Sequence, residues 1–140
     1  MTITSINADI RTAPQGYTIV SAFSDDINCE VGISKVMNEM FNIDGRKDVI
    51  KYFKSGNLGK LDNLYFLFVK ETSYDAPDWD RFEAALNDFK EKCIKNKIRK
   101  IAMPKICCGK GGFSFIDVSQ KIIDVFTDIN VDVVIYDLEK

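Results

Sequence analysis

Gly109-Lys110-Gly111-Gly112 stands where a short apolar run gives way to a helix-spaced pattern. Upstream, Ile101-Ala102-Met103 breaks at Pro104 and resumes at Ile106. Downstream, Phe115, Val118, Ile122 and Phe126 recur at helical spacing behind Ser114, a helix N-cap with Asp117 three residues on. A buried strand therefore feeds a glycine-rich loop, and the loop feeds a helix start. Backbone N–H groups left unpaired there, at the positive end of a helix dipole, form a seat for phosphate. The same glycines also suit a tight turn that binds nothing. The spacing is not that of a P-loop, since no Gly-Lys-Ser/Thr follows. It is not a dinucleotide fingerprint either, since the final spaced glycine is missing. The chemistry indicated is anion binding, with the anion unspecified.

The chain has no histidine. That excludes Ser-His and Cys-His nucleophilic chemistry and imidazole metal sites. Carboxylates, lysines, hydroxyls, thiols, backbone dipoles and a ligand's own groups are left. The four cysteines, Cys29, Cys93, Cys107 and Cys108, form no C-x-x-C pair, and the adjacent Cys107-Cys108 suits a disulfide framework poorly. Reduced thiols in a cytoplasmic protein are expected, with no metal and no cofactor. The formal net charge is −2, with mixed signs and no basic tail, so strong intrinsic nucleic-acid binding is not expected. No apolar run approaches the length of a membrane span, and Met1-Thr2-Ile3 lacks the basic start of a signal peptide, so no membrane partner is expected.

These groups must be positioned by a scaffold. At 140 residues one domain, 1–140, is expected, able to bury roughly two thirds of its unfolded surface. Thr2 to Ile6 reads as a first strand closing on Asn7-Ala8-Asp9-Ile10, and Pro14-Gln15-Gly16 as a turn. Tyr17 to Phe23 is a second, buried strand, followed by the loop Ser24-Asp25-Asp26 and by Asn28, placed to cap the next element. Ile33, Val36, Met37, Met40 and Phe41 share a helical face, predicting a helix near residues 30–41. A shorter helix is expected from Gly45 to Lys54, before the Ser55-Gly56-Asn57 turn and a brief strand from Leu58 to Lys60. Leu64 to Val69 is apolar on both faces and belongs inside a sheet.

Beyond a polar loop from Thr72 to Trp79, Phe82, Leu86, Phe89 and Cys93 mark one face of a helix ending near Asn96. Ile98 to Met103 is the strand before the glycines. The helix after them spans Phe115 to Thr127, and Val131 to Tyr136 is the last strand. Alternating strands and helices argue for an α/β layered domain with a largely parallel sheet. Ligands of such sheets sit at the carboxyl ends of the strands. Asp9, Ser21 to Ser24, Lys70 and Gly109 to Gly112 all fall at such ends, which favours a phosphate-bearing ligand over a bare turn.

Over its whole length the chain resembles the macrodomains, the ADP-ribose-binding fold. Within them it is most similar to the branch of the terminal ADP-ribose protein glycohydrolase and the DNA ADP-ribosyl glycohydrolase antitoxins. The resemblance rests on Ile3-Thr4-x-x-x-Ala8-Asp9-Ile10, Val31-Gly32-Ile33, Met103-Pro104-Lys105-Ile106-x-Cys108-Gly109 with Gly111-Gly112, and Val134-Ile135-Tyr136-Asp137-Leu138, in that order. It implies a three-layer α/β/α sandwich with a central mixed, largely parallel sheet. It also implies a monomer whose partner is ADP-ribose or an ADP-ribosylated macromolecule.

By the resemblance, Asp9 accepts a hydrogen bond from the adenine amino group and Ile10 offers a backbone amide, while Tyr136 and Leu138 flank the adenine. Gly32, Ile33 and the loop Gly109, Lys110, Gly111, Gly112 embrace the diphosphate and distal ribose. Ser21, Ser24, Cys108 and Phe113 complete the expected ligand-binding set. Lys70 matches the branch's catalytic lysine. Its amine would attack the opened ribose aldehyde to form a Schiff base, or act as proton donor or charge partner. The function implied is ADP-ribose binding with hydrolysis of ADP-ribose derivatives: removal of the ADP-ribosyl group from a target, or release of phosphate from ADP-ribose 1''-phosphate. The alternative is a non-catalytic reader.

Three departures stand out. Gly111 occupies the position of the glycohydrolase's aspartate, although the antitoxins also have glycine there. Glu30 replaces a glycine beside the expected diphosphate, and Lys110 replaces an apolar residue.

Overall fold

The computed structural model describes residues 1–109 and 111–138. Its elements follow the sequence pattern: β1 (Thr2–Ile6), β2 (Thr18–Ser24), α1 (Gly32–Phe41), α2 (Lys47–Phe53), β3 (Leu58–Leu61), β4 (Leu64–Lys70), α3 (Trp79–Asn96), β5 (Lys100–Pro104), α4 (Phe115–Phe126) and β6 (Asp132–Tyr136). Among the described residues the strands form one sheet in the order β1-β6-β5-β2-β4-β3. Every neighbouring pair is parallel except β3 with β4. The parallel strands therefore all end at the same edge, with Ile6, Tyr136 and Pro104 in register on one side and Ser24 opposite Lys70 on the other.

Strand alternation splits the apolar residues between two faces. Tyr65, Leu67 and Val69 of β4 join Phe82, Leu86 and Phe89 of α3 and Val118 and Ile122 of α4 in one core. Leu64, Phe66 and Phe68 of the same strand join Met37 of α1, Ile50 of α2 and Ile10 in the other. The result is the three-layer α/β/α arrangement. Each fully buried side chain of this size contributes about 1.5–3 kcal/mol, so β4, buried on both faces, anchors both layers. No helix among the described residues is long and apolar enough to cross a membrane.

The differences from the expected boundaries have local causes. The expected helix from Gly45 to Lys54 divides into a 3-10 turn at Asp44–Arg46 and α2. α3 begins at Trp79, earlier than its apolar face suggests, because Asp78 caps it by accepting the N–H of Asp80 at 3.2 Å. Asn28 does not cap α1. Its Oδ1 accepts the N–H of Glu30 at 3.1 Å in a turn, and the N-cap is Val31, which has no side chain able to serve. Ser114 caps α4 as expected, accepting the N–H of Asp117 at 3.1 Å.

Candidate functional site

Asp9 follows β1 and starts a one-turn 3-10 helix. Its Oδ1 accepts the backbone N–H of Arg11 and its Oδ2 accepts the Arg11 guanidinium, each at 2.9 Å. The backbone bond from Arg11 is the larger cause that holds the Asp9 carboxyl below its ordinary value; burial opposes it, and the guanidinium adds to it. Arg11 is itself held in place by Glu39 of α1.

Asp9, Ile10 and Arg11 form one wall of a cavity of about 410 Å³. The opposite wall is Tyr136, Asp137 and Leu138 after β6, and Gly32, Ile33, Pro104 and Lys105 close it. A second cavity, of about 430 Å³, is lined by Ser24, Asn28, Lys70, Ser73, Cys107, Gly109 and Gly112. Gly32, Ile33 and Lys105 line both, so the two are halves of one cleft across the carboxyl edge of the sheet.

α1 points its N-terminus into the middle of this cleft. Gly32 is its first residue, with φ +64°, a left-handed conformation that a side chain adopts only at a cost. Since no side chain caps the helix, its first amides are directed at the cleft with the positive end of the dipole behind them. It is a helix start of the kind that the sequence suggested for the loop before α4.

The second loop is more self-contained. Gly112 donates its N–H to the Gly109 carbonyl at 2.8 Å, and Phe113 donates to the Cys107 carbonyl at 2.7 Å. A Cβ on Gly112 would stand 2.3 Å from the Cys107 carbonyl oxygen, so the closure requires glycine there. Two of the loop's amides are thereby used to shape it rather than left for a ligand.

Lys70 ends β4 in the second half of the cleft, half-buried, with its ammonium donating to the Ser73 carbonyl at 3.3 Å. Ser24, buried and opposite it in register, donates its hydroxyl to the Asp26 carboxylate. Cys107 lines the same half. Burial, reinforced by Cys108 and opposed by Lys70, pushes its thiol up to about 12, so it stays a neutral wall. A groove of about 690 Å³, larger than either half alone, runs along the edge strand β3, lined by Phe53, Leu58, Tyr65 and Lys92. It contains none of the predicted site residues and shares no lining residue with either half of the cleft.

No family model matches the chain. ADP-ribose glycohydrolase OARD1 of Bos taurus is 26% identical over 141 residues, spanning 97% of this chain and 91% of that protein. The macrodomain of Mycobacterium tuberculosis DarG superposes with a TM-score of 0.80 at 21% identity, covering 96% of this chain and 97% of that one. Thermosipho africanus DarTG, solved in complex with ADP-ribose, superposes with a TM-score of 0.78 at 15% identity, covering 97% of this chain and 41% of that one. The chain has the macrodomain fold.

The macrodomain cleft gathers most, but not all, of the predicted residues. Asp9, Ile10, Gly32, Ile33, Tyr136 and Leu138 line its first half; Ser24, Lys70, Gly109 and Gly112 line the second, again with Gly32 and Ile33. Ser21 lines neither half. It lies wholly buried on the face of β2 shared with Ile19 and Phe23, its hydroxyl unpaired among the described residues. Cys108 turns its thiol to the Ile106 carbonyl at 3.1 Å, and Gly111, at φ +76°, is not part of either wall. Phe113 packs the other way, edge-on to Trp79 with ring centroids 4.8 Å apart. Lys110 lies outside the described residues. Glu30 is exposed and lines neither half, so its added charge stays off the described walls of the cleft.

Two further wall residues, Arg11 and Lys105, carry little signal in the sequence. Arg11 is signalled only by its place two residues after a capping aspartate. Lys105 is signalled only by its place between a strand-ending proline and the glycine loop.

Proposed function

We propose that the cleft binds ADP-ribose and that Lys70 acts on its distal ribose, hydrolysing ADP-ribose derivatives. One observation carries this reading: a carboxylate, a helix N-terminus and an amine stand in that order along a single cleft. ADP-ribose presents an amine-bearing base, a diphosphate and a ribose in the matching order. Asp9 is acceptor-only when ionised and keeps lone pairs beyond the two that Arg11 uses, so it selects the adenine amine. The uncapped start of α1 receives the diphosphate. Tyr136 and Leu138 form the apolar wall beside the adenine. The name of the bovine relative, a glycohydrolase, supports the same assignment.

At the far end, the Lys70 amine attacks C1'' as the bond from C1'' to the target breaks, and the target's group leaves with one amine proton. The ring oxygen then leaves C1'' with the second amine proton to give an imine, and water cleaves that imine to return the lysine and release ADP-ribose. Release of phosphate from ADP-ribose 1''-phosphate would use the same end of the cleft. The four free thiols fit a cytoplasmic setting.

A second reading, a reader without turnover, is favoured by one feature. No carboxylate lines the described walls of the Lys70 half, so no acidic residue stands ready there as a general base. Product analysis separates the two on ADP-ribosylated protein, ADP-ribosylated DNA and ADP-ribose 1''-phosphate. The proposal expects turnover of at least one, abolished in Lys70→Ala while ADP-ribose still binds. Wild-type protein that binds ADP-ribose but converts none of them is a reader.

A further inference from the structure

Arg11, Lys70 and Lys105 are the cationic side chains on the described walls of the cleft, and their commitments differ. Arg11 is divided between two carboxylates, Asp9 and Glu39. Lys70 stands at the ribose end, tied to the Ser73 carbonyl. Lys105 alone lines both halves. Its amine stands 3.7 Å from Asp137 Oδ2, the longest ion pair among the described residues, and 4.8 Å from the centre of the Phe115 ring.

Strand register dictates this placement. β5 and β6 run parallel with Pro104 opposite Tyr136, so the next residue on each strand, Lys105 and Asp137, leaves the sheet beside the other. Asp137 in turn lines the adenine half, where its charge repels an incoming anion.

We infer that Lys105, filtered by Asp137, selects ligands whose negative charge spans the point where the two halves of the cleft meet. An exposed pair this long is weak, so it yields readily to a stronger anion. A diphosphate brings two negative charges to the point where both halves meet, and it draws the amine away from Asp137. A monophosphate carries a similar charge at neutral pH but ends inside the adenine half, where Asp137 faces it and the second half stays empty. Lys105 is thus a specificity-determining residue for dinucleotide-like sugars over mononucleotides. This rests on the ADP-ribose reading and deepens it.

The test is calorimetry with ADP-ribose and with adenosine monophosphate, on wild type and variants. Lys105→Gln is expected to weaken ADP-ribose about tenfold or more and the monophosphate about threefold or less. The salt dependence of ADP-ribose binding flattens in the same variant. Lys105→Arg restores the preference, because the charge rather than the lysine is what matters. Asp137→Asn tightens ADP-ribose about twofold or more, a gain that a merely structural ion pair does not give. Equal binding of ADP-ribose by Lys105→Gln and wild type overturns the inference, as do equal losses for both ligands or weaker binding by Asp137→Asn. Those results leave the ADP-ribose reading standing. Wild type that binds no ADP-ribose overturns that reading, and this inference with it.

Discussion

Arg11 holds Asp9 through two hydrogen bonds, an arrangement that suits the acceptor role proposed for it. The arginine's backbone N–H and guanidinium fix the carboxylate's orientation and keep its pKa below the ordinary 3.8. The sign follows directly. A depressed carboxyl contributes its stability above the unfolded value and loses it as pH falls through the folded one. ADP-ribose affinity should therefore be flat across neutral pH and collapse only below pH 3.8, which titration at several pH values will show. Asp9→Asn keeps the shape but offers an amide donor to the adenine amine. It should weaken ADP-ribose about tenfold or more, with a thermal midpoint close to wild type.

The thiols behave differently from one another at this scale. Cys107 is pushed up to about 12, while Cys108 is less deeply buried and has Lys105 partly offsetting the rise. Alkylation at neutral pH, followed by peptide mapping, should label Cys108 before Cys107.

The elements that face the cleft depend on glycine in two distinct ways. Gly112 closes the loop before α4 against a backbone carbonyl that cannot move aside. Gly112→Ala should cost about 1–3 kcal/mol of stability by denaturant unfolding and deform the Lys70 half. Gly32 has open space around it, so Gly32→Ala meets only the strain of its positive φ, about 1–2 kcal/mol. Because it starts α1, that strain should show more in ADP-ribose affinity than in folding.

How much of this was legible in the sequence differs from element to element. β4 and α3 could be read because burial on both faces and a single helical stripe leave unmistakable patterns. Asp9, Lys70 and the glycine loop could be read because parallel strands deliver their ends to one edge. The start of α1 could not be read from capping rules, since its N-cap is Val31 rather than a side-chain donor or acceptor. Lys105 could not either, because its partner Asp137 is fixed by the register of β5 with β6 across a whole intervening helix. Phe113 reads as a neighbour of the glycines, but its ring follows the aromatic cluster with Trp79 and Phe82.

At the scale of the whole molecule, the sheet holds two apolar cores apart and leaves its carboxyl edge for polar work. Buried thiols tie those cores to pH. Burial raises Cys29 to about 11 and Cys93 and Cys107 to about 12, from an ordinary 9.0. For groups raised in this way the stabilising contribution is complete below the unfolded value and is lost as pH climbs through the folded one. The thermal midpoint should hold up to pH 9 and fall between pH 9 and 12, with the buried thiols opening to a disulfide reagent over the same window.

A crystal soaked with ADP-ribose decides where the nucleotide sits, because the groove beside β3 offers an alternative home. The account predicts the adenine amine on the Asp9 carboxylate, the diphosphate across Gly32 and Ile33, and the distal ribose within reach of the Lys70 amine. Ligand density in the β3 groove, or a cleft left empty at saturating ADP-ribose, would contradict it.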